Sequence, residues 1–308
     1  MASQFVLSVL VTAHNCENYL ADTLDSVRRA CRDVRQAVEI VLVNDASTDG
    51  TAAMLQAFAA AHPASNVFNV AYRNIGEVRN FGVQQCRGQY VTMLDGDDQL
   101  LPDALTEIVP YLSRQQPDML LARLNEVYES RRGGETWRSP TFTALTRHQT
   151  IEKFLIHREL QAHFIGQFIR RDLLLQHRFP PFRCYEDAWL FPEILTASQH
   201  IVYADVSPYL YFKRDNSLSS KLDAEKISLL VAATQHMDEV LPARYRNLLS
   251  CHWINIAHKY QASLSQPADR AQVQAALQKI PLPGFLLDRQ VRTSFKKKYL
   301  QLKLKKAF

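Results

Sequence analysis

Residues Phe5–Ala13 read FVLSVLVTA, a run of Val and Leu that gives way at once to the polar pair His14 and Asn15. An apolar run with no polar alternation describes a strand buried on both faces, as in a parallel sheet lying between helix layers. The pattern recurs at Val38–Asn44 (VEIVLVN), Val67–Tyr72 (VFNVAY), Tyr90–Leu94 (YVTML) and Asp118–Tyr128 (DMLLARLNEVY). Between these runs the period changes. Glu17–Ala30 sets Tyr19, Leu20, Leu24 and Val27 at helical spacing, and Asp49 and Gly50 open the Ala-rich stretch TAAMLQAFAAA. Glu77–Cys86 reads as a short helix, and Pro102–Leu112 begins with a proline suited to a helix start. Arg131–Glu135 reads as a turn after the fifth strand. Alternation of this kind predicts an α/β fold, a mainly parallel sheet with right-handed crossovers and helices on both faces.

Beyond Asp215 the chain becomes helical, over Ala224–Leu241 and Tyr245–Leu264, with breaks at Pro242 and at Pro281–Gly284. We therefore expect a sheet domain over residues 1–220 and a helical C-terminal extension over 221–308. Thr141–Pro181 is less periodic, and its His148, His157, His163 and His177 follow no metal-binding spacing.

The 308 residues are 47% hydrophobic and 22% charged, ordinary values for a globular protein with a substantial core. No apolar run reaches the roughly 18 residues that span a bilayer. The N-terminus lacks the basic region and cleavage site of a signal peptide. Five scattered cysteines without C-x-x-C spacing suit reduced thiols in a cytosol and argue against a disulfide framework or zinc site. The net charge of +5 is concentrated at the end, where SFKKKYLQLKLKKAF holds six lysines and no acid. Phe295, Tyr299, Leu300, Leu302, Leu304 and Phe308 interleave with those lysines, a mix that suits an anionic membrane surface. A solvated terminal helix is the plainer reading. No recognition motif accompanies the charge, so no nucleic-acid partner is expected.

Ligands of such sheets bind beyond the carboxyl ends of the strands. Thr12–Asn15, Asn44–Ser47, Arg73–Gly76 and Asp95–Asp98 all fall there and read as one site. In TMLDGDDQL, Thr92–Leu100, three carboxylates within four residues repel one another unless a cation or donors sit among them. Asp95 and Asp97, separated by Gly96, suit a hard divalent cation, and Gly96 lets a substrate approach the backbone. Asp98 reads as the cap of the helix near Pro102. Asp45 is placed to accept hydrogen bonds from a base or ribose, whereas Asp49 reads as a helix cap. Arg79 suits a base or phosphate contact, and equally a surface pair with Glu77 or another acid. Glu186 and Asp187 suit a general base, or the acids common at helix starts. Lys213, Arg214, Ser217 and Ser219 suit phosphate oxygens, or a polar loop.

Taken in order, VTAHN, VNDASTDGT, NIGEVRNFGVQQCRGQYVTMLDGDD, YEDAWL and YFKRDNSLS resemble the motifs of the family 2 inverting glycosyltransferases, which have a GT-A fold. The resemblance runs from about Val6 to Ser220. It implies that Thr12, Ala13, Asn15, Asp45 and Arg79 line a nucleotide site, with Gly96 and Glu186 also at the sugar nucleotide. Asp95 would hold the donor ribose and, with Asp97, an Mn²⁺ or Mg²⁺ cofactor. Asp187 would be the catalytic base, and Arg214 and Ser217 would hold the diphosphate. His14 departs from the family pattern, where an aromatic residue such as Tyr is usual. The Q-x-x-R-W motif of processive synthases is absent. The resemblance thus implies a non-processive enzyme that moves one sugar from a nucleotide-diphosphate sugar to a glycan or lipid-linked acceptor. Bacterial surface-polysaccharide or lipopolysaccharide synthesis, in the cytoplasm or peripheral to the inner face of the membrane, is the expected setting.

Other classes fit less well. A sugar nucleotidyltransferase would carry a Gly- and Lys/Arg-rich loop after its first strand, where this chain has AHNCEN. A non-catalytic sugar-nucleotide or glycan-binding module would not need every acidic motif. A dehydrogenase is disfavoured, since no G-x-G-x-x-G follows a strand. Donor sugar, acceptor linkage and oligomeric state are not legible in the sequence.

Overall fold

The computed structural model describes residues 5–128, 136–156, 160–214 and 223–304. The expected turn at 131–135, His157 and the candidate residues Ser217 and Ser219 lie outside them. The first half is the alternation read from the sequence: β1 Leu7–Ala13, α1 Glu17–Ala30, β2 Val38–Asp45, α2 Thr51–Ala61, β3 Ser65–Val70, α3 Ile75–Gln85 and β4 Tyr90–Asp95. Then come β5 Gln99–Leu100, α4 Leu105–Gln115, β6 Met119–Tyr128, β7 Phe142–Leu145, α5 Arg147–Ile156, β8 Phe168–Arg170, α6 Arg171–Gln176, α7 Glu186–Ala197 and β9 Ile201–Lys213. The helices α8 Ala224–Val240, α9 Arg246–Tyr260, α10 Pro267–Gln278, α11 Leu282–Leu287 and α12 Thr293–Leu304 complete the described chain.

The strands form one curled, mixed sheet in the order β3-β2-β1-β4-β8-β6-β9-β5, with β7 paired to β9. β3, β2, β1 and β4 are parallel, and every residue of β1 and β2 is buried. β8 is antiparallel to both β4 and β6, while β6 and β9 run parallel to each other. This inserted strand decides what reaches the site. Because β8 points the other way, the residues that precede it meet the carboxyl end of β4, as the bridge between Met93 and Ile165 records. β9 shares the direction of β4, so Arg214, just after it, arrives at that edge too.

Some boundaries differ from the sequence reading. The helix expected from Pro102 begins at Leu105 and continues through Pro110 to Gln115. The expected break at Pro281–Gly284 falls between α10 and α11, over residues 279–281, and α11 starts at Leu282 with Pro283 in its first turn. β9 has no counterpart in the sequence reading.

The main apolar cluster lies on both faces of the sheet and continues into Met237, Leu241, Tyr245, Leu248 and Leu249 of the C-terminal region. Residue 220 is therefore not a boundary of the apolar core. A second cluster joins Ile227, Val231, Trp253, Ile254, Val273, Phe285 and Tyr299. The basic tail contributes to it: Tyr299 and Leu302 of α12 are buried, whereas Leu300 and Leu304 are exposed. Part of the apolar stripe read as a membrane face is thus used in packing. Phe308 lies outside the described residues.

Candidate active site

The four strand-end segments do meet at one edge. Three of them turn through left-handed backbone at non-glycine residues, Asn15 (φ 46°), Ala46 (φ 52°) and Arg73 (φ 51°). Such turns cost about 1–3 kcal/mol each and persist where surrounding bonds enforce them. Here those bonds are on view. Asn15 Oδ1 accepts from Thr48 N (2.8 Å), and Ser47 Oγ accepts from Asn15 N (3.0 Å). Asp45 Oδ1 accepts from Arg73 N at 3.0 Å, and His14 Nδ1 lies 2.5 Å from the Asp45 carbonyl oxygen. Asn15 and Asp45, both expected at the nucleotide, thus also bind the strand-end loops together. Asp49 accepts from Thr51 N (3.0 Å), as a residue capping α2 should.

The centre of the site is Arg79, on α3. It is buried, so the alternative of a surface arginine paired with Glu77 is corrected. Its Nη1 donates to Asp187 Oδ1 (2.6 Å) and Glu186 Oε1 (2.7 Å), and its Nη2 lies 3.4 Å from Asp95 Oδ1. Thr12 Oγ1 donates to the same Asp95 oxygen (3.1 Å). One guanidinium therefore holds the acid of the β4 loop and both acids of the α7 start. Burial works against its charge, and the three carboxylates more than restore it, so its pKa rises.

Burial, and then the charge of Asp187, push Glu186 up to about 7. Burial also raises Asp187, opposed by Arg79. Asp187 Oδ2 accepts from the Phe164 amide (3.3 Å), the contact made available by the reversed β8, and its side chain keeps 15% of its surface exposed. It is oriented on both oxygens yet still reachable. His163, the residue before Phe164, lines a cavity of about 350 Å³ together with Arg123, Glu126, Gln161, Gln167 and Phe191. Burial, with Lys213 and Arg79 nearby, lowers His163 to about 4, which keeps that imidazole neutral near pH 7.

Within the acidic loop the sequence reading is corrected at Asp98. Asp98 does not cap α4. It is buried, accepting from Tyr209 OH (2.7 Å) and Phe212 N (2.8 Å), so it fastens β9 to the loop. Burial, followed by Asp95 and Asp97, raises it to about 8. Tyr209 OH in turn accepts from Asp95 N (3.2 Å). Gly96 is already required by its own surroundings. A Cβ there would lie 2.8 Å from Cys16 Sγ and 3.1 Å from the Ala13 Cβ.

Asp97 faces outward, 43% exposed, and Arg214 Nη1 donates to its Oδ2 (2.8 Å) while stacking 4.0 Å over the Tyr19 ring. Burial, followed by the charge of Asp95, raises the Asp97 pKa, and Arg214 opposes the rise. Two carboxylates on one loop, with Asp97 open to solvent, are hard oxygen donors that fit Mn²⁺ or Mg²⁺. Among the described residues no cluster of three His, Cys, Asp or Glu could hold a metal ion. Asp97 and Asp95 would thus supply at most two ligands, as Mg²⁺-type sites completed by water and substrate phosphates require.

The chain is similar to glycosyltransferase GlyA of Streptococcus pneumoniae, 25% identical over 285 residues, covering 85% of this chain and 39% of that protein. It is 34% identical over 100 residues to chondroitin synthase of Escherichia coli, covering 32% of this chain and 14% of that one. The chain thus spans well under half the length of these relatives. Among solved structures, Staphylococcus aureus TarS residues 1–349 in complex with UDP-GlcNAc has a TM-score of 0.72 at 18% identity, over 98% of this chain and 88% of that one. The mannosyltransferase PcManGT of Pyrobaculum calidifontis, in complex with GDP-Man and Mn²⁺, has a TM-score of 0.58 at 17% identity, over 97% and 86%. These likenesses identify the fold as GT-A-like. The model of the family described as "Glycosyl transferase family 2" matches residues 8–177, more than half of the sequence, and the chain belongs to that family.

Proposed function

We propose that the protein transfers a single sugar, with inversion, from a nucleotide-diphosphate sugar to a hydroxyl of a glycan or lipid-linked acceptor. The observation that carries this reading is the gathering of Asp95, Glu186 and Asp187 on Arg79 at the carboxyl edge of the sheet. Thr12, Ala13, Asn15 and Asp45 line the nucleotide side, and Asp95 sits between nucleotide and sugar. Asp187 is the general base: Arg79 and the Phe164 amide fix its carboxylate, and its exposed edge takes the proton of the incoming hydroxyl. The acceptor occupies the cavity of about 350 Å³, whose neutral His163 and polar Arg123, Glu126 and Gln161 suit sugar hydroxyls. Glu186 and Arg79 keep the base in place. Arg214 moves from Asp97 to the diphosphate as the donor arrives. A divalent cation on Asp97 and Asp95 would neutralise leaving-group charge as a Lewis acid.

Polysaccharide or lipopolysaccharide synthesis in the cytoplasm, at or near the membrane, is the setting proposed. No helix among the described residues is long and apolar enough to cross a membrane. The test is a panel of nucleotide sugars screened by thermal shift with and without Mn²⁺, followed by transfer assays. Asp187→Asn should lose at least about 10²-fold in transfer, the scale of general-base catalysis, while retaining the donor. Asp97→Asn should lose Mn²⁺-linked stabilisation. Near-normal transfer by both variants would overturn the assignment.

A further inference from the structure

A second cavity, of about 400 Å³, lies far along the chain from these residues, between α5, α9 and the start of α12. Its wall carries Arg292, Lys298, Ser294, His252, Asn255 and Phe295, and no carboxylate. Arg292 and Lys298 sit against the same ring, their charged groups 5.0 and 5.2 Å from the Phe295 centroid. Lys298 Nζ reaches Asn255 Oδ1 at 3.3 Å. Neither cation has a carboxylate within ion-pair distance among the described residues. Other basic groups do: Arg170 pairs with Asp118, Arg183 with Asp223, and Lys213 with Glu126. Asp288, close in sequence, is turned toward Asn247 Nδ2 and Gln290 N, each at 2.8 Å.

We propose that this cavity binds a phosphoester, with Arg292 and Lys298 on the phosphate oxygens and Ser294 and Asn255 on neighbouring hydroxyls. Two cations without a carboxylate partner in a concave wall focus positive potential where a dianion would sit. The planar Arg292 fork matches phosphate oxygens and Lys298 adds a point charge. The volume lies in the range of small-molecule sites and exceeds the need of a bare ion. Phe295 and Leu155 supply an apolar wall for the organic part of the ligand. The phosphoester comes either from a soluble molecule or from an anionic lipid headgroup. The site shares no residue with the proposed active site, so either reading can fail without the other.

The experiment uses the full chain and two probes, glycerol 3-phosphate by calorimetry and phosphatidylglycerol vesicles by co-sedimentation. The variant is R292Q/K298Q, and the control is K296Q/K297Q, which removes equal charge from α12 outside the cavity. R292K keeps the charge but loses the fork, and it guards against a misfolded double variant. Weakening of glycerol 3-phosphate binding by at least about tenfold in R292Q/K298Q, with the control within about twofold, supports the site and a soluble ligand. The same contrast seen only with vesicles supports the site and a headgroup. Binding of neither probe, equal losses in both double variants, or unchanged binding in R292Q/K298Q would overturn the proposal.

Discussion

Replacing Arg79 by Met keeps most of the side chain's bulk and removes the charge shared by Asp95, Glu186 and Asp187. The two close bonds, at 2.6 and 2.7 Å, are charge-assisted and buried. At about 1.5–3 kcal/mol each they sum to about 3–6 kcal/mol. Breaking a buried ion pair by removing one partner gives a similar figure, about 3–5 kcal/mol, because the remaining charge is stranded. A loss of about 3–5 kcal/mol is therefore expected in urea denaturation at pH 8. The loss should shrink at pH 6. Glu186 is already lifted to about 7, above its ordinary 4.5, chiefly by burial and by Asp187, while Arg79 pulls it down. Without Arg79 it rises further and takes a proton more readily. A carboxyl whose folded pKa is raised binds more protons in the folded state, so stability grows as pH falls through that pKa toward the unfolded value. A deficit below about 1 kcal/mol at both pH values, or one that grows on acidification, would refute this account of the cluster.

Other perturbations test neighbouring contacts. Tyr209→Phe removes the hydroxyl between Asp98 and the Asp95 amide and should cost about 1–3 kcal/mol in the same denaturation assay. Gly96→Ala places a methyl 2.8 Å from Cys16 Sγ and should cost about 1–3 kcal/mol in thermal or urea unfolding, as overpacking does. Glu39→Ala, far from the site, removes the acceptor of Ser8 Oγ (2.6 Å) and Gly88 N (2.9 Å) and should lower stability by at least about 1–3 kcal/mol with donor affinity unchanged. Cys184 is the one partly exposed thiol and the other four cysteines are buried. A thiol reagent should therefore modify Cys184 alone before denaturation and the rest only after it.

How far the sequence carries is visible residue by residue. The strands β1, β2 and β4 are legible because double-faced burial leaves unbroken apolar runs, and the order of polar strand ends follows from their parallel direction. β9 escapes because Pro208 interrupts a run with one face partly open, and because its partners β6, β7 and β5 are remote in sequence. Asp98 reads as a cap since caps are local, but its true partner, Tyr209, is 111 positions away. Arg79 leaves two readings open for the same reason: its closest acids are 107 and 108 residues further on. Tyr209 has no signal of its own, because a buried hydroxyl and a core aromatic look alike in sequence. The residues bearing chemistry are legible by type and spacing, whereas the bonds that aim them depend on which distant segments the sheet brings side by side.

The apolar core that runs from the sheet into α8 and α9 bears on how such proteins can be recombined. α9 gives Leu248 and Leu249 to the main cluster and Trp253, Ile254 and Ile256 to the second. It is a beam shared by both halves. A crossover between relatives at residue 220 would separate Met237, Leu241 and Tyr245 from the sheet against which they evolved. A crossover beyond Tyr260 would leave the main core whole and divide only the second cluster, where Trp253 and Ile254 meet Val273, Phe285 and Tyr299. Lineages that trade C-terminal modules should accordingly keep α8 and α9 in linkage with the sheet, and vary most from α10 onward.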